Sequence, residues 1–485
     1  MSQTQFLLFL ISIIPLANCL LIKVFEGSQA LVNLVSKSLP ILFFMNLVGL
    51  LSADNASLLF FESSKIFSFG FAIDKMALIF LFLLNLIWVV FSFYSDRFLS
   101  LSESKNSGEF KLFFALIVAV VSLIIISRNL LTILFFYNAL LFLSYFFAVK
   151  FLYKEKSKLN YFLTFLLYLE AVFLFFAAVL TYKFAGKIDF ISEMVIAETL
   201  DKSKQIAILV LYLGSLFLLF LTPSYLLYRK INFDSLEIYA MFFLGIAFSS
   251  LYIFIKILIF IFGFTAFSEI ISEIGFSYFE WIFLTNLLIS SALLLFSKNL
   301  KSAFLYLLFN QFTFALFAIF IFAAFDERRV LLPLISFSLS ITLIFLCLSN
   351  FILYLSKAEF KSLKSLFYDL KITSSLLIFA ILNLSGILPA LGMFEKFFII
   401  KVLFQKELFL SGVIFVLNTI TLVAFACKMI YSLLARVENK RSSKDLGLIK
   451  TIDYDSNLML TALVVALIIF LLPIAFQLKN SLFVL

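Results

Sequence analysis

Fourteen apolar runs, each about 17 residues or longer, set the pattern of this chain. They lie near 5–23, 30–52, 76–95, 111–127, 129–149, 160–182, 205–228, 237–262, 277–297, 302–324, 330–356, 372–403, 408–435 and 456–478. A helix needs about 20 predominantly apolar residues to cross a hydrocarbon core roughly 30 Å thick. The pattern therefore predicts an all-α polytopic membrane protein with about fourteen transmembrane helices. Between the second and third runs, residues 53–75 are shorter and mixed. The alternation of Phe67, Ser68, Phe69, Gly70 and Phe71 there predicts a small extramembrane hairpin. Residues 186–203, amphipathic and acidic-leaning, and 357–371, amphipathic and basic, predict surface helices.

Two runs are interrupted. In the twelfth, Gly386, Pro389 and Gly392 fall at mid-span and Glu395 and Lys396 follow at once. Proline removes a backbone donor and glycine favours turns, so the helix is expected to break there. Broken helices at membrane depth are tolerated where they are buried in protein or line a water-filled cavity. In the seventh, Thr222-Pro223-Ser224 interrupts a nearly bare apolar stretch. Broken helices seven and twelve stand five apart, as expected of two inverted five-helix repeats. The division expected is 1–110 for helices one to three with the hairpin, 111–263 and 264–437 for the two repeats, and 438–485 for the last helix.

Composition agrees with the class. Of 485 residues 64% are hydrophobic and 13% charged, against roughly 45–50% and 25% in soluble domains. The net charge of +9 does not indicate nucleic acid, because the basic residues sit in short loops between apolar runs. Assigning alternate loops to opposite sides puts about 21 Lys and Arg on one side and about 11 on the other. The richer side is expected to be cytoplasmic, which places both termini outside. The start, Met1-Ser2-Gln3-Thr4-Gln5, has no basic segment and no cleavage site, and reads as a retained first helix. Cys19, Cys347 and Cys427 have no metal-ligand spacing and read as small core residues. There is no histidine, which removes histidine-based triads, metal sites and haem ligation. No metal site and no cofactor are expected.

Ser385–Phe397 resembles the A-G-I-P-P-x-x-G-F-x-x-K-F signature of the antiporter-like subunits of complex I (NADH–quinone oxidoreductase) and of Mrp-type cation/proton antiporters. Asn299-Leu300-Lys301-Ser302-Ala303-Phe304-Leu305-Tyr306 resembles their N-x-K-R-x-L-A-Y run, and Ala72-Ile73-Asp74-Lys75-Met76-Ala77-Leu78 their x-I-D-G-L-S-L run. Tyr94-Ser95 and Asn129-Leu130-Leu131-Thr132 are similar to the family at the third and fifth helices. The resemblance covers nearly the whole chain, in order. It implies two half-channels joined by a central line of charge: a Glu on helix five, a Lys on broken helix seven, a Lys on helix eight, and a Lys or Glu on broken helix twelve.

Lys396 matches the last of these positions. The others fall on Asn138, Leu218 and Phe248, none of which can titrate. The family's P-F-H after helix seven reads Pro223-Ser224-Tyr225, and Asn310-Gln311 stands where a His or Gln is usual. Ionisable residues inside other runs are candidate substitutes, because charge within a membrane span is costly and marks function by default. Glu170 in helix six is either a relocated carboxylate or a structural partner. Lys256 in helix eight serves a shifted path or snorkels to an interface. Lys428 in helix thirteen lies near a position where the family often has a basic residue. Lys37 in helix two is close enough to an end to snorkel. Glu395 and Lys396, about 100° apart on a helix, are not expected to pair with each other; the alternative for Lys396 is a structural bond to Glu395 or to a half-helix carbonyl.

The expectation is an antiporter-like subunit of a complex I-type or Mrp-type assembly in a bacterial cytoplasmic membrane. It would move H⁺, or support Na⁺/H⁺ exchange, beside other membrane subunits, and meet quinone only through them. A degenerate paralogue with a structural role and a stand-alone secondary transporter are the alternatives.

Overall fold

The structure, a computed structural model, describes all residues except 1–2, 52–55, 63–67, 102–106, 149, 151–157, 186–188, 191–200, 222–223, 225–238, 275–276, 356–358, 436–451, 454 and 479–485. Its spans are α1 (Gln3–Val24), α2 (Gln29–Leu50), α3 (Lys75–Leu101), α4 (Ser107–Ile125), α5 (Leu130–Phe147), α6 (Lys158–Ala185) and α7 (Lys202–Phe217). There follow α8 (Tyr239–Phe262), α9 (Ser277–Phe296), α10 (Leu300–Phe325) and α11 (Leu332–Tyr354). The last are the split α12 (Lys371–Ser385 and Leu391–Gln405), α13 (Phe409–Leu434) and α14 (Ser456–Leu478). Among the described residues thirteen helices are long and apolar enough to cross a membrane. The two halves of α12 make one further crossing, so the expected number holds.

Position in the bundle follows from which helices lack a polar or lipid-facing side. The apolar windows of α10 and α11 are 100% buried, whereas that of α6 is 33% buried. The centre of the molecule therefore lies at α10 and α11, with α8 beside them. On one flank α3 packs on α2, α4, α11 and α14, and α1 covers α2 and α4. Stacked rings fill the seam: Phe91 lies on Phe114 and Tyr239, and Tyr239 on Phe345.

The expected hairpin is present as β1 (Ala56–Glu62) and β2 (Ser68–Ile73), antiparallel, with Ala56 opposite Ile73 and Glu62 opposite Ser68. It does not stand free. Ala72 N–H donates to the Ile126 carbonyl and Arg128 N–H to the Gly70 carbonyl, so β2 pairs with the α4–α5 junction. Asn129 caps α5 through Thr132 N–H at 2.8 Å and donates its amide to the Ser68 carbonyl at 2.8 Å. One side chain thus joins a helix start to a strand end.

Two expectations change. Of the expected surface helix 357–371, the described residues 359–371 do not form one helix. A 3₁₀ turn, Phe360–Leu363, and a single α-turn, Leu366–Asp369, are separated by Ser365 in the left-handed region at φ 67°. Leu363, Leu366 and Leu370 are buried, so the segment is held by its leucines under the end of the bundle. Cys427 is exposed, unlike Cys19 and Cys347, because it falls on the outward face of peripheral α13. The acidic-leaning segment 186–203 lies largely outside the described residues.

Asp453, 3% exposed, is the cap of the first half of α12. It accepts from Ile372 N–H at 2.8 Å, Thr373 N–H at 3.0 Å and the Thr373 hydroxyl at 2.7 Å. Replacing such a cap costs about 1–2 kcal/mol. Asp453→Ala is expected to lower the thermal midpoint of the purified protein by a few degrees, measured by size-exclusion retention after heating.

Candidate functional site

The break in α12 is built by three residues. Gly386 ends the first half at φ 74°, ψ 19°, with its N–H bonded to the Asn383 carbonyl and Ile387 N–H to the Leu382 carbonyl. A left-handed glycine with these two bonds is the usual way a helix stops. Gly392 opens the second half, donating its N–H to Asn383 Oδ1 at 2.9 Å. Asn383 in turn donates Nδ2 to Ser340 Oγ of α11 at 2.8 Å. Freed backbone groups at membrane depth are thus taken by side chains, as a broken span requires.

Lys396 sits one turn into the second half, 5% exposed, with Nζ 4.2 Å above the Phe314 ring of α10. A Cβ at Gly386 would lie 2.7 Å from Lys396 Cδ, so the glycine that stops the helix also leaves room for the lysine stem. Glu395 is 3% exposed and its Oε1 has no hydrogen-bond partner. Among the described residues no ion pair within 4.0 Å joins Glu395 to Lys396. The ammonium rests on a ring face, with the Glu395 carboxylate beyond ion-pair distance but near enough to act on it electrostatically. Lys401, a turn and a half further on, is exposed.

The other interrupted helix is also satisfied by side chains. After Phe217 the chain tightens into a 3₁₀ turn, Leu218–Phe220; Pro223 lies outside the described residues. Glu170 of α6, fully buried, accepts from Leu219 N–H at 2.9 Å, while its Oε2 has no partner. Ser224 Oγ donates to the Leu218 carbonyl at 2.9 Å and Asn286 Nδ2 to the Phe220 carbonyl at 3.2 Å. Asn286 also reaches Thr313 Oγ1 at 2.5 Å. Thr313 precedes Phe314, the ring beneath Lys396. From Glu170 the polar contacts run across the α7 break to Asn286 and end at Thr313. Alongside, Asn310 donates to Ser290 at 3.0 Å and to Asn418 at 2.8 Å, and Gln311 to Asn310 at 2.9 Å.

The remaining sequence candidates are placed differently. Asn138 is partly buried with Oδ1 unpartnered, and Phe248 is fully buried among apolar groups. Lys256, 1% exposed, donates to the Ser127 carbonyl at 2.7 Å and lies 5.1 Å from the Phe190 ring. Lys428, half-buried, donates to the Leu295 and Ser297 carbonyls, both at 2.7 Å, and lies 4.3 Å from the Phe360 ring. Each lysine thus holds the carbonyls at a helix–helix junction under a phenylalanine. The flanking backbone repeats as well: Asn129 bridges Asp189 and Asn299 bridges Glu359, over an identical length of chain. Phe190 N–H donates to the Arg128 carbonyl and Phe360 N–H to the Lys298 carbonyl.

One cluster carries no motif in the sequence. Asp96 of α3 accepts from Lys37 of α2 at 2.6 Å and from Lys111 of α4 at 2.8 Å, and Lys111 also donates to Asn33 at 2.5 Å. Lys37 does not snorkel, since it is tied to a carboxylate. The only available signal was three charges of mixed sign near the ends of successive spans.

No protein-family model matches the sequence, and no curated protein matches it. Solved structures do match in fold. A chain of the Mrp complex from Dietzia sp. DQ12-45-1b aligns at 14% identity and TM-score 0.79, over 99% of this chain and 96% of that one. A chain of respiratory complex I from Thermus thermophilus, solved with bound aureothin, aligns at 13% identity and TM-score 0.71, over 98% and 100%. A chain of the membrane-bound sulfane sulfur reductase, an archaeal respiratory membrane complex, aligns at 12% identity and TM-score 0.73, over 96% and 94%. The protein has the all-α polytopic fold that these subunits of multi-subunit membrane complexes share.

Proposed function

We propose that the chain is an antiporter-like subunit of a complex I-type or Mrp-type assembly that moves protons, or supports Na⁺/H⁺ exchange, across a bacterial cytoplasmic membrane. The observation that carries this reading is Lys396: an amine 5% exposed at the break of α12, over a ring and without an ion-paired carboxylate. A buried ammonium with no carboxylate within ion-pair distance is costly, and such groups inside spans mark ion pathways. Glu170 at the α7 break and the amides and hydroxyls between them form the rest of the path, with Glu395 as the adjoining carboxylate. Residues 111–263 and 264–437 are its two repeats, a division supported by the matched surroundings of Lys256 and Lys428. Both termini face outward, following the loop charges. The subunit itself holds no cofactor, and quinone chemistry belongs to partner subunits.

A specific observation favours a second reading, a non-conducting scaffold. Asn138, Leu218 and Phe248 give no ionisable group at three positions where the antiporter-like family carries charge, and Lys256 is engaged with backbone carbonyls.

The test is ion uptake into proteoliposomes holding the assembled complex, driven by an imposed pH or Na⁺ gradient. Native protein is expected to conduct, Lys396→Ala to fall to the rate of empty vesicles with assembly intact, and Glu170→Gln to slow uptake. Equal silence of native protein and Lys396→Ala beside a working paralogue would make the chain a scaffold.

A further inference from the structure

Lys256 and Lys428 stand in one arrangement made twice. Ser127-Arg128-Asn129-Leu130 recurs as Ser297-Lys298-Asn299-Leu300, and Asp189-Phe190 recurs as Glu359-Phe360 at the same distance along the chain. Lys256 Nζ donates to the Ser127 carbonyl at 2.7 Å and to the Ile125 carbonyl at 3.4 Å. Lys428 Nζ donates to the Ser297 and Leu295 carbonyls, the same pair at the second junction. Phe190 lies over one ammonium and Phe360 over the other. Lys256 stands six residues before Phe262, where α8 ends, and Lys428 six before Leu434, where α13 ends. Each is therefore about 9 Å inside its helix. Five crossings, α5 to α9, separate the two junctions, so they lie on opposite faces of the membrane. The first is on the face of the β-hairpin, which pairs with it.

A charge is a costly way to hold a carbonyl inside a span. At the α7 break the Leu218 and Phe220 carbonyls are held by neutral groups, Ser224 and Asn286. Uncharged donors therefore suffice within this bundle, and what an ammonium adds is its field. Asp74 is near enough to Lys256 to act on it electrostatically. Among the described residues, however, no carboxylate is within ion-pair distance of either lysine. A fixed positive charge across a narrow passage is a barrier to protons and other cations.

We propose that Lys256 and Lys428 are electrostatic seals, each closing one repeat to cations at one membrane face. The ring and the two carbonyls fix the ammonium across the junction, and its charge turns small cations back. This deepens the ion-path reading above and rests on it for what the seals enclose.

The experiment uses the full chain in right-side-out and inverted membrane vesicles, after Cys19→Ala, Cys347→Ala and Cys427→Ala. A reporter thiol is placed inward of each junction, Ser122→Cys or Ser291→Cys, both at buried positions. Silver ion is the small cationic probe, and neutral mercuric chloride, which crosses lipid, is the control. Lys256→Gln keeps a donor for the carbonyls and loses the charge. It is expected to raise silver modification at position 122 at least roughly tenfold, as one partly screened unit charge predicts, and only from the hairpin face. Lys428→Gln should do the same at position 291, only from the opposite face, and Lys428→Arg should stay at the native rate. Mercuric chloride should react equally in all of these variants, whereas a loosened junction would speed both reagents. No rise with silver, a rise from both faces, or an equal rise with mercuric chloride would overturn the proposal. If Lys256→Gln does not fold, the half-buried Lys428 decides it alone. The silver rates are read without an ion gradient. Vesicles that take up no ions but show face-specific silver entry would therefore remove the transport reading and not the seals.

Discussion

Gly392→Ala is expected to leave little folded protein. A Cβ at this position would lie 2.0 Å from the Asn383 carbonyl oxygen and 2.9 Å from its carbon. Both are backbone atoms of the preceding half-helix, so neither can rotate away. Overpacking in a well-filled site costs about 1–3 kcal/mol and occasionally more, and a clash with main chain belongs at the upper end. The shift needed would also pull Gly392 N–H off Asn383 Oδ1, freeing an amide at membrane depth. Gly27→Ala is the control, because nothing lies within 4 Å of its added carbon. Monodisperse yield of a fluorescent fusion on size exclusion should fall severely for the first and stay unchanged for the second.

Asp96→Asn is expected to be the most damaging single charge change on the α2–α3–α4 flank. The carboxylate holds two ammonium groups, Lys37 at 2.6 Å and Lys111 at 2.8 Å, with the Lys111 side chain 4% exposed. Removing one partner of a buried pair typically costs about 3–5 kcal/mol, because the other charge is left uncompensated. Here two charges are left. The thermal midpoint should drop sharply in Asp96→Asn, and adding Lys111→Met should recover part of the loss by removing the more enclosed ammonium. A double variant no better than the single one would show that the lysines are solvated without Asp96.

The α12 break was legible because two glycines and a proline stand together before two charges. Proline alone would have misled: Pro15, Pro40 and Pro473 lie inside continuous helices. What stops α12 is Gly386 at positive φ with Asn383 ready to take the next N–H. Lys396 was likewise legible, being a charge within two turns of the break. Asn383, Asn286 and Asn418 were not. An amide within a long apolar run has no local pattern, and its importance depends on which carbonyl or hydroxyl the neighbouring helix presents. In the sequence Lys256 read as serving a shifted path or snorkelling, and Lys428 as lying near a position where the family often has a basic residue; their shared carbonyl-holding role appears only when the two junctions are seen side by side.

The sequence by itself determined the solvent of this protein, the number of its crossings and the place where a crossing is cut, because these depend on run length and on backbone chemistry within a few residues. Only the tertiary structure decided which charged side chain meets which partner: Lys37 and Lys111 on Asp96, Glu170 on Leu219 N–H, Lys396 on a ring. The reason is that a helix offers its neighbours a different face every residue. A polar side chain's partner therefore depends on the rotation and depth of another helix, and neither is written in the chain nearby.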